Sequence, residues 1–220
     1  SGGIDSNILA AIADKRLNGV TTFGGVIDNE KKKNEELLIK IASKNLRGKN
    51  NLIKIKDQFL VDNYFSLINH FDDPVHDSNY FTLMALCSSI KKNTNIKVVL
   101  CGEGADEIFG GYERYKMFSR NDNNVSIEKL IYSYNKVAIP RLKLLTKDPV
   151  VISQKRFDIF QEVQSDDIFN TLLLYDQKTF LGSYLHRQDR VGMMFSLEIR
   201  TPYLDHNLVN FINDLPSKHK

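Results

Sequence analysis

Ser1-Gly2-Gly3-Ile4-Asp5-Ser6-Asn7 opens the chain and leads directly into apolar residues at helical spacing, at Ile8, Leu9, Ile12, Ala13 and Leu17. Two glycines ahead of a helix let backbone amides approach an anion closely. The positive end of the helix dipole and the hydroxyls of Ser1 and Ser6 add to the attraction. The stretch therefore predicts a phosphate-binding loop.

Two features of this loop qualify the prediction. A Gly-Gly pair before a helix is also found as an ordinary turn. The loop has no neighbouring lysine and does not end in the Gly-Lys-Ser/Thr of a Walker loop, so we expect a metal ion to neutralise the phosphates. Asp5 supplies the hard oxygen ligand that magnesium prefers.

The composition argues against several classes of protein. With 220 residues and 42% hydrophobic content, the chain is long enough for one sizeable core. The net charge of +3 is spread over interleaved signs and forms no basic stripe for nucleic acid. Cys87 and Cys101 are too few for a disulfide framework, and no segment is long enough to span a membrane. We expect a cytoplasmic protein that binds neither nucleic acid nor membrane.

Short apolar strands alternate with amphipathic helices as far as Cys101. Strands are predicted at 20–27, 52–55 and 96–101, and helices at 35–46, after a cap at Asp57, and after a cap at Asp77-Ser78. This alternation predicts an α/β fold with a doubly wound parallel sheet. After Tyr112 no further strand is predicted, and helices are expected at 127–137, 166–186 and 205–215. The chain is thus divided into an α/β part, 1–118, and a helical part, 119–220.

Two more motifs follow the first loop in order. They are Cys101-Gly102-Glu103-Gly104-Ala105-Asp106-Glu107-Ile108-Phe109-Gly110-Gly111-Tyr112 and a run from Arg187 to Asp205 that includes Asp189-Arg190, Ser196-Leu197-Glu198 and Pro202-Tyr203-Leu204. Together the three motifs resemble the C-terminal synthetase domain of glutamine-dependent asparagine synthetases, which are pyrophosphatase-loop ATPases. The resemblance covers nearly the whole chain and implies an adenine nucleotide alpha-hydrolase-like fold.

The resemblance implies ATP and Mg²⁺ as ligands, and the amidation of aspartate through a β-aspartyl adenylate with release of AMP and pyrophosphate. It assigns ATP and pyrophosphate contacts to Ser1, Gly2, Gly3, Asp5, Ser6, Gly25, Cys101 and Gly102. Asp5 and Asp106 are the expected magnesium ligands, since loops at the carboxyl ends of parallel strands share one site. Glu103 is expected to serve the acyl-adenylate, by taking a proton from the attacking amine. From its own sequence, Gly25 is equally a kink at a strand end.

Several positions differ from the usual family pattern. Cys101 stands in place of a serine and is interpreted as a packing and backbone contact, not a nucleophile. Asn7 also replaces a serine and keeps hydrogen-bonding capacity. The segment 72–78, an acidic and proline-containing break, replaces the stretch of the better-known members. It leaves the acyl substrate open between aspartate and another carboxylate, such as that of a surface polysaccharide or a peptide.

The third motif carries four charged residues without a single assigned role: Asp189, Arg190, Glu198 and Arg200. They either frame the acyl pocket through ion pairs or contact the substrate directly. Glu103 favours the asparagine synthetases over the β-lactam synthetases, which carry tyrosine at that place. A tRNA-modifying pyrophosphatase-loop enzyme is the alternative from another class, and it would be expected to show a basic stripe.

The resemblance also concerns what lies beyond this stretch of sequence. It implies an apolar strand ahead of Ser1, a covalently linked glutaminase domain before it that supplies ammonia from glutamine, and a lysine-bearing helix after Lys220. We expect the chain to be part of a longer enzyme, while its activity without those parts and a homodimer are both left open.

Overall fold

A computed structural model describes residues 2–28, 33–72, 75, 77–116, 149–165 and 167–220. These residues form two compact units, one made of 1–103 with 183–202 and the other of 104–182 with 203–220. Ser1, the predicted boundary after residue 118 and the predicted helix at 127–137 lie outside the described residues and stay predictions.

The first unit alternates helices and strands, as the sequence predicts. Its elements are α1 (Ile4–Leu17), β1 (Thr22–Ile27), α2 (Lys33–Ser43), β2 (Asn50–Ile55), α3 (Asp57–Phe71), α4 (Asn79–Asn93) and β3 (Val98–Leu100). The chain then runs through the second unit and returns to the first, where it forms β4 (Glu198–Arg200). Asp57 is the first residue of α3 rather than its cap, whereas Asp77 accepts the Asn79 amide at 2.6 Å, next to the start of α4.

Both pairs of strands are parallel, which confirms the α/β class. β1 pairs with β2 from Thr22↔Asn50 to Ile27↔Ile55, and β3 pairs with β4 from Val98↔Glu198 to Leu100↔Arg200. Among the described residues these are two sheets of two strands each, instead of the single sheet that the alternation predicts.

The prediction that no strand follows Tyr112 is wrong, because β4 lies in the second half of the chain. β4 has three residues, of which only Ile199 is apolar. So short a strand shows no alternation of apolar and polar residues, and its pairing with β3 depends on residues about a hundred positions earlier. Only the tertiary structure reveals it.

A cavity of about 570 Å³ lies beside β1 and β3 in the first unit. Most of its lining is apolar and comes from α1, β1 and β3, including Leu9, Ala13, Leu17, Val98 and Leu100. Val98 and Leu100 are 41% and 48% exposed. These features agree with the expectation of a further apolar strand in the sheet, which stays a prediction.

The core of the first unit is helical. Its buried side chains come mainly from α3, α4 and the helix that precedes β4: Leu67, Phe71, Tyr80, Phe81, Met84, Cys87, Ile90, Val191 and Leu197. β1 packs between helices because its two glycines present no side chains. A Cβ at Gly24 would lie 2.9 Å from Ile39 of α2, and one at Gly25 would lie 3.2 Å from Thr82 of α4.

The Asp14 carboxylate joins the end of α1 to the loop before β2. It accepts the backbone amides of Val20 and Gly48 on Oδ1, at 3.0 and 3.1 Å, and that of Arg47 on Oδ2, at 3.0 Å. Only 5% of Asp14 is exposed. These amides favour the ionised form, and the Arg47 amide has the largest effect in lowering the pKa of Asp14.

The second unit is built from helices. They are α5 (Ala105–Phe109), α6 (Glu113–Lys116), α7 (Pro149–Glu162), α8 (Ile168–Lys178), the first turn of α9 (Phe180–Met194) and α10 (His206–Asp214). The core consists of Tyr115, Phe160, Leu172, Leu173 and Tyr175. Asp167 and Asp205 cap α8 and α10 by accepting backbone amides, which ends each preceding loop at a fixed residue. The predicted helical C-terminal half is confirmed within the described residues.

We predict that Asp14→Asn lowers the urea midpoint of unfolding at pH 7, because one carboxylate oxygen that accepts backbone amides is replaced by an NH₂ group. The folded-state pKa of Asp14 lies below its ordinary 3.8, so its stabilisation is complete above about pH 5 and is lost as the pH falls through the lowered pKa. The difference between the variant and the wild type should therefore shrink between pH 5 and 3.

The control is Asp62→Asn, since Asp62 is exposed and accepts only the Gln58 side chain within α3. Its effect on the free energy of unfolding should stay within about 0.5 kcal/mol at every pH. A difference for Asp14→Asn that stays constant down to pH 3 would contradict the prediction.

Candidate active site

The start of α1 carries the predicted phosphate-binding residues Gly3, Asp5 and Ser6. Gly3 precedes the helix in an extended conformation and makes no side-chain cap. The Gly3 carbonyl accepts the Ser6 hydroxyl at 3.2 Å and the Asn7 side-chain amide at 2.7 Å. Asn7 thus keeps the hydrogen bonding expected of it, and the Ser6 hydroxyl must turn away from Gly3 to reach a phosphate.

The loop after β3 lies directly against this helix start. A Cβ at Gly102 would be 3.1 Å from the backbone nitrogen of Ser6 and 3.3 Å from Cβ of Asp5. A side chain at residue 102 would crowd the start of α1 at these distances, and glycine lets the two loops meet without that crowding. The structure therefore brings together Asp5, Ser6 and Gly102, which the sequence predicts for one site.

Cys101 continues the pairing of β3 and lies next to this contact. Its amide donates to the Arg200 carbonyl at 2.9 Å, and the Glu103 amide donates to its sulfur. Desolvation raises the pKa of the Cys101 thiol to about 11, and the Glu103 amide opposes that shift more weakly. At neutral pH the group is a thiol, as expected of a packing residue.

The Glu103 carboxylate is held by two side chains of α9. Arg187 Nη2 donates to Glu103 Oε2 at 3.2 Å, and Gln188 Nε2 donates to the same oxygen at 2.5 Å. Arg187 is 8% exposed. Glu103 thus lies beside the α1 and Gly102 contact with its carboxylate in a defined orientation.

Asp77 and two tyrosines complete the surroundings of Arg187. Asp77 Oδ2 lies 3.6 Å from Arg187 Nη1. The guanidinium carbon lies 5.7 Å from the ring centre of Tyr80 and 5.1 Å from that of Tyr184. The segment 72–78, which the family resemblance places near the acyl substrate, therefore reaches the Glu103 cluster through Asp77.

Arg187 and Gln188 were not predicted as site residues from the sequence. A signal was present, since 184, 187, 188 and 191 follow one another at helical spacing and include the apolar Tyr184 and Val191. Two polar side chains on the buried side of an amphipathic helix indicate a partner in the interior. The partner itself, 84 positions earlier, is visible only in the structure.

The four charged residues of the third motif lie mostly at the surface. Asp189 is exposed, and Glu198 and Arg200 form an exposed ion pair with 2.8 Å between Oε1 and Nε. Arg190 donates to the His70 carbonyl and lies 3.8 Å from Asp72. Ion pairs exist, as the framing hypothesis expects, but the Glu198 and Arg200 pair is not buried.

Gly2 and Gly25, both assigned to ATP by the resemblance, have packing reasons of their own. A Cβ at Gly2 would lie 2.6 Å from Cβ of Leu38 in α2. A Cβ at Gly25 would touch Thr82 and Leu86 of α4. Their contacts with a nucleotide stay predictions.

Asp106 belongs to the second unit, where glycines shape its loop. Gly104 and Gly110 flank α5 with φ of 90° and 74°, values that favour glycine. A Cβ at Gly111 would lie 2.0 Å from Asp106 Oδ1, so a larger residue there would displace this carboxylate from its present position. Its neighbour Glu107 is fully buried and accepts the Tyr112 hydroxyl at 2.6 Å.

The donor set can be tested against magnesium and ATP. Within the described ranges no group of three or more His, Cys, Asp or Glu residues is arranged to hold a metal ion. Magnesium on a polyphosphate needs only one or two carboxylates, because water and phosphate supply the other ligands. Asp5, at the start of α1 and next to Gly102, fits that chemistry, while the pairing of Asp5 with Asp106 stays a prediction. No helix in the described part has the length and apolarity to cross a membrane.

The chain is similar in sequence to known proteins. The family model described as "Asparagine synthase" matches residues 1–220. A putative glutamine-hydrolysing asparagine synthetase of Mycobacterium bovis is 26% identical over 259 residues, covering 100% of this chain and 39% of that relative. The glutamine-hydrolysing asparagine synthetase 1 of Bacillus subtilis is 25% identical over 260 residues, with 100% and 40% covered.

A relative with a different name matches over the same length. The amidase chry2 of Gibberella zeae is 22% identical over 286 residues, covering 100% of this chain and 42% of that relative. The chain spans about two fifths of the length of these curated relatives.

We predict that Gly102→Ala destabilises the protein by about 1–3 kcal/mol, because the new methyl group meets the backbone of α1 rather than a movable side chain. Gly182→Ala is the matched control, since a Cβ there meets nothing within 4 Å and alanine suits a helix better than glycine. Thermal unfolding should show a lowered midpoint for the first variant and an unchanged or raised one for the second. Equal midpoints would contradict the close approach of the two loops.

A second prediction concerns the reactivity of Cys101. With a pKa of about 11, roughly one thousandth of the group is thiolate at pH 8, so alkylation by iodoacetamide should rise about tenfold per pH unit from 7 to 9.5. Peptide mass spectrometry gives the rate for each cysteine. Cys87, whose pKa burial raises to about 12, should react more slowly still. A plateau below pH 9 at Cys101 would identify an activated thiol and refute the packing role.

Proposed function

Because the chain belongs to the asparagine synthase family, we propose that it carries the site of ATP-dependent amide formation in a ligase. The substrates are a carboxylate, ATP and ammonia, and the products are an amide, AMP and pyrophosphate. The chain corresponds to about two fifths of its relatives, so the activity is that of the full-length protein.

One observation supports the proposal most directly. Gly102 meets the backbone of Ser6 and the Asp5 side chain, which joins the start of α1 to the loop that carries Glu103. An anion-binding helix start alone is compatible with many functions. Its junction with a carboxylate held in a defined orientation suits a reaction that activates one substrate with phosphate and deprotonates another.

In the first step, an oxygen of the substrate carboxylate attacks the α-phosphorus of ATP, and the bond to pyrophosphate breaks. The chain contributes positioning and charge stabilisation, through the amides at the start of α1 and the Ser6 hydroxyl. Asp5 would hold magnesium, which neutralises phosphate charge when bound, and Asp106 is its proposed second carboxylate. The Cys101 thiol takes no part as a nucleophile in this scheme.

In the second step, the nitrogen of ammonia attacks the acyl carbon, the bond to the AMP oxygen breaks, and a proton leaves the nitrogen. Glu103 is the proposed acceptor of that proton. A base needs to be within hydrogen-bond reach of the proton it removes and to stay in that orientation. The hydrogen bonds from Arg187 and Gln188 supply the orientation.

We propose aspartate as the carboxylate and glutamine as the source of ammonia. The names of the M. bovis and B. subtilis relatives, both glutamine-hydrolysing asparagine synthetases, support this choice. A second candidate is the amidation of another carboxylate, in a polysaccharide or a peptide. It is favoured by the contact between Asp77 and Arg187, because Asp77 belongs to the unusual segment 72–78 and Arg187 also binds Glu103.

We predict that the full-length protein, given ATP, Mg²⁺ and ammonium, releases pyrophosphate only when aspartate is present and forms asparagine. Glu103→Gln should slow amide formation by about 10²–10⁴-fold, because the neutral amide cannot accept the proton. Aspartate-dependent exchange of labelled pyrophosphate into ATP, which reports the first step, should remain.

Glu162→Gln is the matched control, since Glu162 is exposed, pairs with Lys178 in the second unit and should affect neither measurement. If another carboxylate supports exchange and aspartate does not, the second candidate replaces the first. If no carboxylate in a panel of amino acids, peptides and uronic acids supports exchange, the proposed function is wrong. Loss of exchange in Glu103→Gln would move Glu103 to the first step.

A further inference from the structure

We propose that Arg187 and Gln188 are positioning residues for the second step, holding Glu103 by one oxygen and leaving the other for the proton of the attacking amine. This inference rests on the proposed function, because it assigns these side chains to the chemistry of Glu103. Arg187 does not touch the reacting atoms in this scheme, whereas Gln188 also has, within the described part of the chain, a free acceptor beside Glu103. Both act through the carboxylate that they bind.

The hydrogen bonds to Glu103 are unequally divided between its oxygens. Arg187 Nη2 and Gln188 Nε2 both donate to Oε2, and no described residue donates to Oε1. Two donors on one oxygen fix the rotation of the carboxylate about its last bond, and they leave the second oxygen as the acceptor. A base that must take a proton from nitrogen requires such an open acceptor at a defined position.

Arg187 has further contacts beside Glu103. Its guanidinium carbon lies within 6 Å of the ring centres of Tyr80 and Tyr184, and Asp77 Oδ2 lies 3.6 Å from Nη1. Burial of the arginine removes competing water. A planar guanidinium with both ends engaged transmits its position to Glu103 more rigidly than a flexible ammonium group would.

Gln188 contributes a second feature at the same place. Its Nε2 is bound to Glu103, whereas its Oε1 is buried and has no hydrogen-bond partner among the described residues. A buried acceptor without a donor is costly unless a ligand satisfies it. An N–H group of the incoming amine is the donor that fits beside a carboxylate, so Gln188 offers an acceptor next to Glu103.

A purely structural ion pair would have other consequences. Its loss would weaken folding and would lower both steps of the reaction together. A positioning role predicts a split instead, in which the first step survives and the adenylate is formed but is hydrolysed to AMP without giving the amide.

The test uses the full-length protein with ammonium supplied and measures both steps for Arg187→Met, Arg187→Lys and Gln188→Leu. Amide formation should fall about 10²-fold in Arg187→Met, since displacing a catalytic group by about 1 Å has costs of that size. Pyrophosphate exchange should stay within about threefold of wild type. Arg187→Lys should form amide about tenfold faster than Arg187→Met, because lysine keeps one donor for Oε2. Gln188→Leu should lower amide formation about tenfold and raise the fraction of AMP released without amide.

Arg47→Met is the control, since the Arg47 side chain is in the same unit and bonds only to Asn18 among the described residues. It should leave both steps unchanged. Equal losses in both steps, with no recovery in Arg187→Lys, would overturn the positioning role and leave the proposed function standing. If Arg187→Met does not fold, Gln188→Leu decides, and unchanged amide formation in that variant would overturn the proposal. If Glu103→Gln itself forms amide normally, the proposed role of Glu103 is wrong and this inference is wrong with it.

Discussion

The contact between Gly102 and the start of α1 is the constraint on which the rest of the site depends. The loop after β3 approaches the backbone so closely that a Cβ at residue 102 would lie 3.1 Å from the Ser6 nitrogen, and glycine avoids this crowding. The approach fixes where Glu103 begins, and it leaves the first amides of α1 next to the same loop. Loops at the carboxyl ends of parallel strands are the usual ligand-binding position in α/β folds, and here glycine makes the meeting of two such loops possible.

A second constraint is that charged groups in the interior must be paired. In the first unit Arg187 is shared between Glu103 and Asp77, so a buried guanidinium has two carboxylates near it. In the second unit the fully buried Asp176 accepts Arg114 Nε at 3.0 Å and also the Tyr115 hydroxyl. Each is paired, as the cost of a buried charge requires. The two arrangements differ in exposure, since the Glu103 side chain is 17% exposed whereas that of Asp176 is fully buried. Only Glu103 is therefore proposed to meet a substrate.

The fold was largely predictable from local patterns, and its exceptions have physical reasons. The strands β1 and β2 were evident because each is a run of mostly apolar, often β-branched residues followed by an amphipathic helix. β4 was missed because three residues with one apolar side chain show no alternation of apolar and polar residues. Its pairing partner is β3, which is distant in the sequence. Asp57 was placed one position too early, as the cap of α3 and not as its first residue, because aspartate is common at both positions.

The sequence by itself determined the α/β class, the order of the elements and the set of loops that meet, since these depend on short-range periodicity, glycine and capping residues. Its second motif also led to the proposal that Glu103 is the reactive carboxylate, which stays a prediction. Only the tertiary structure decided what holds Glu103, because Arg187, Gln188 and Asp77 come from separate places in the chain. It also showed that Glu198 and Arg200 pair at the surface, because burial depends on which elements cover a residue and not on the residue itself.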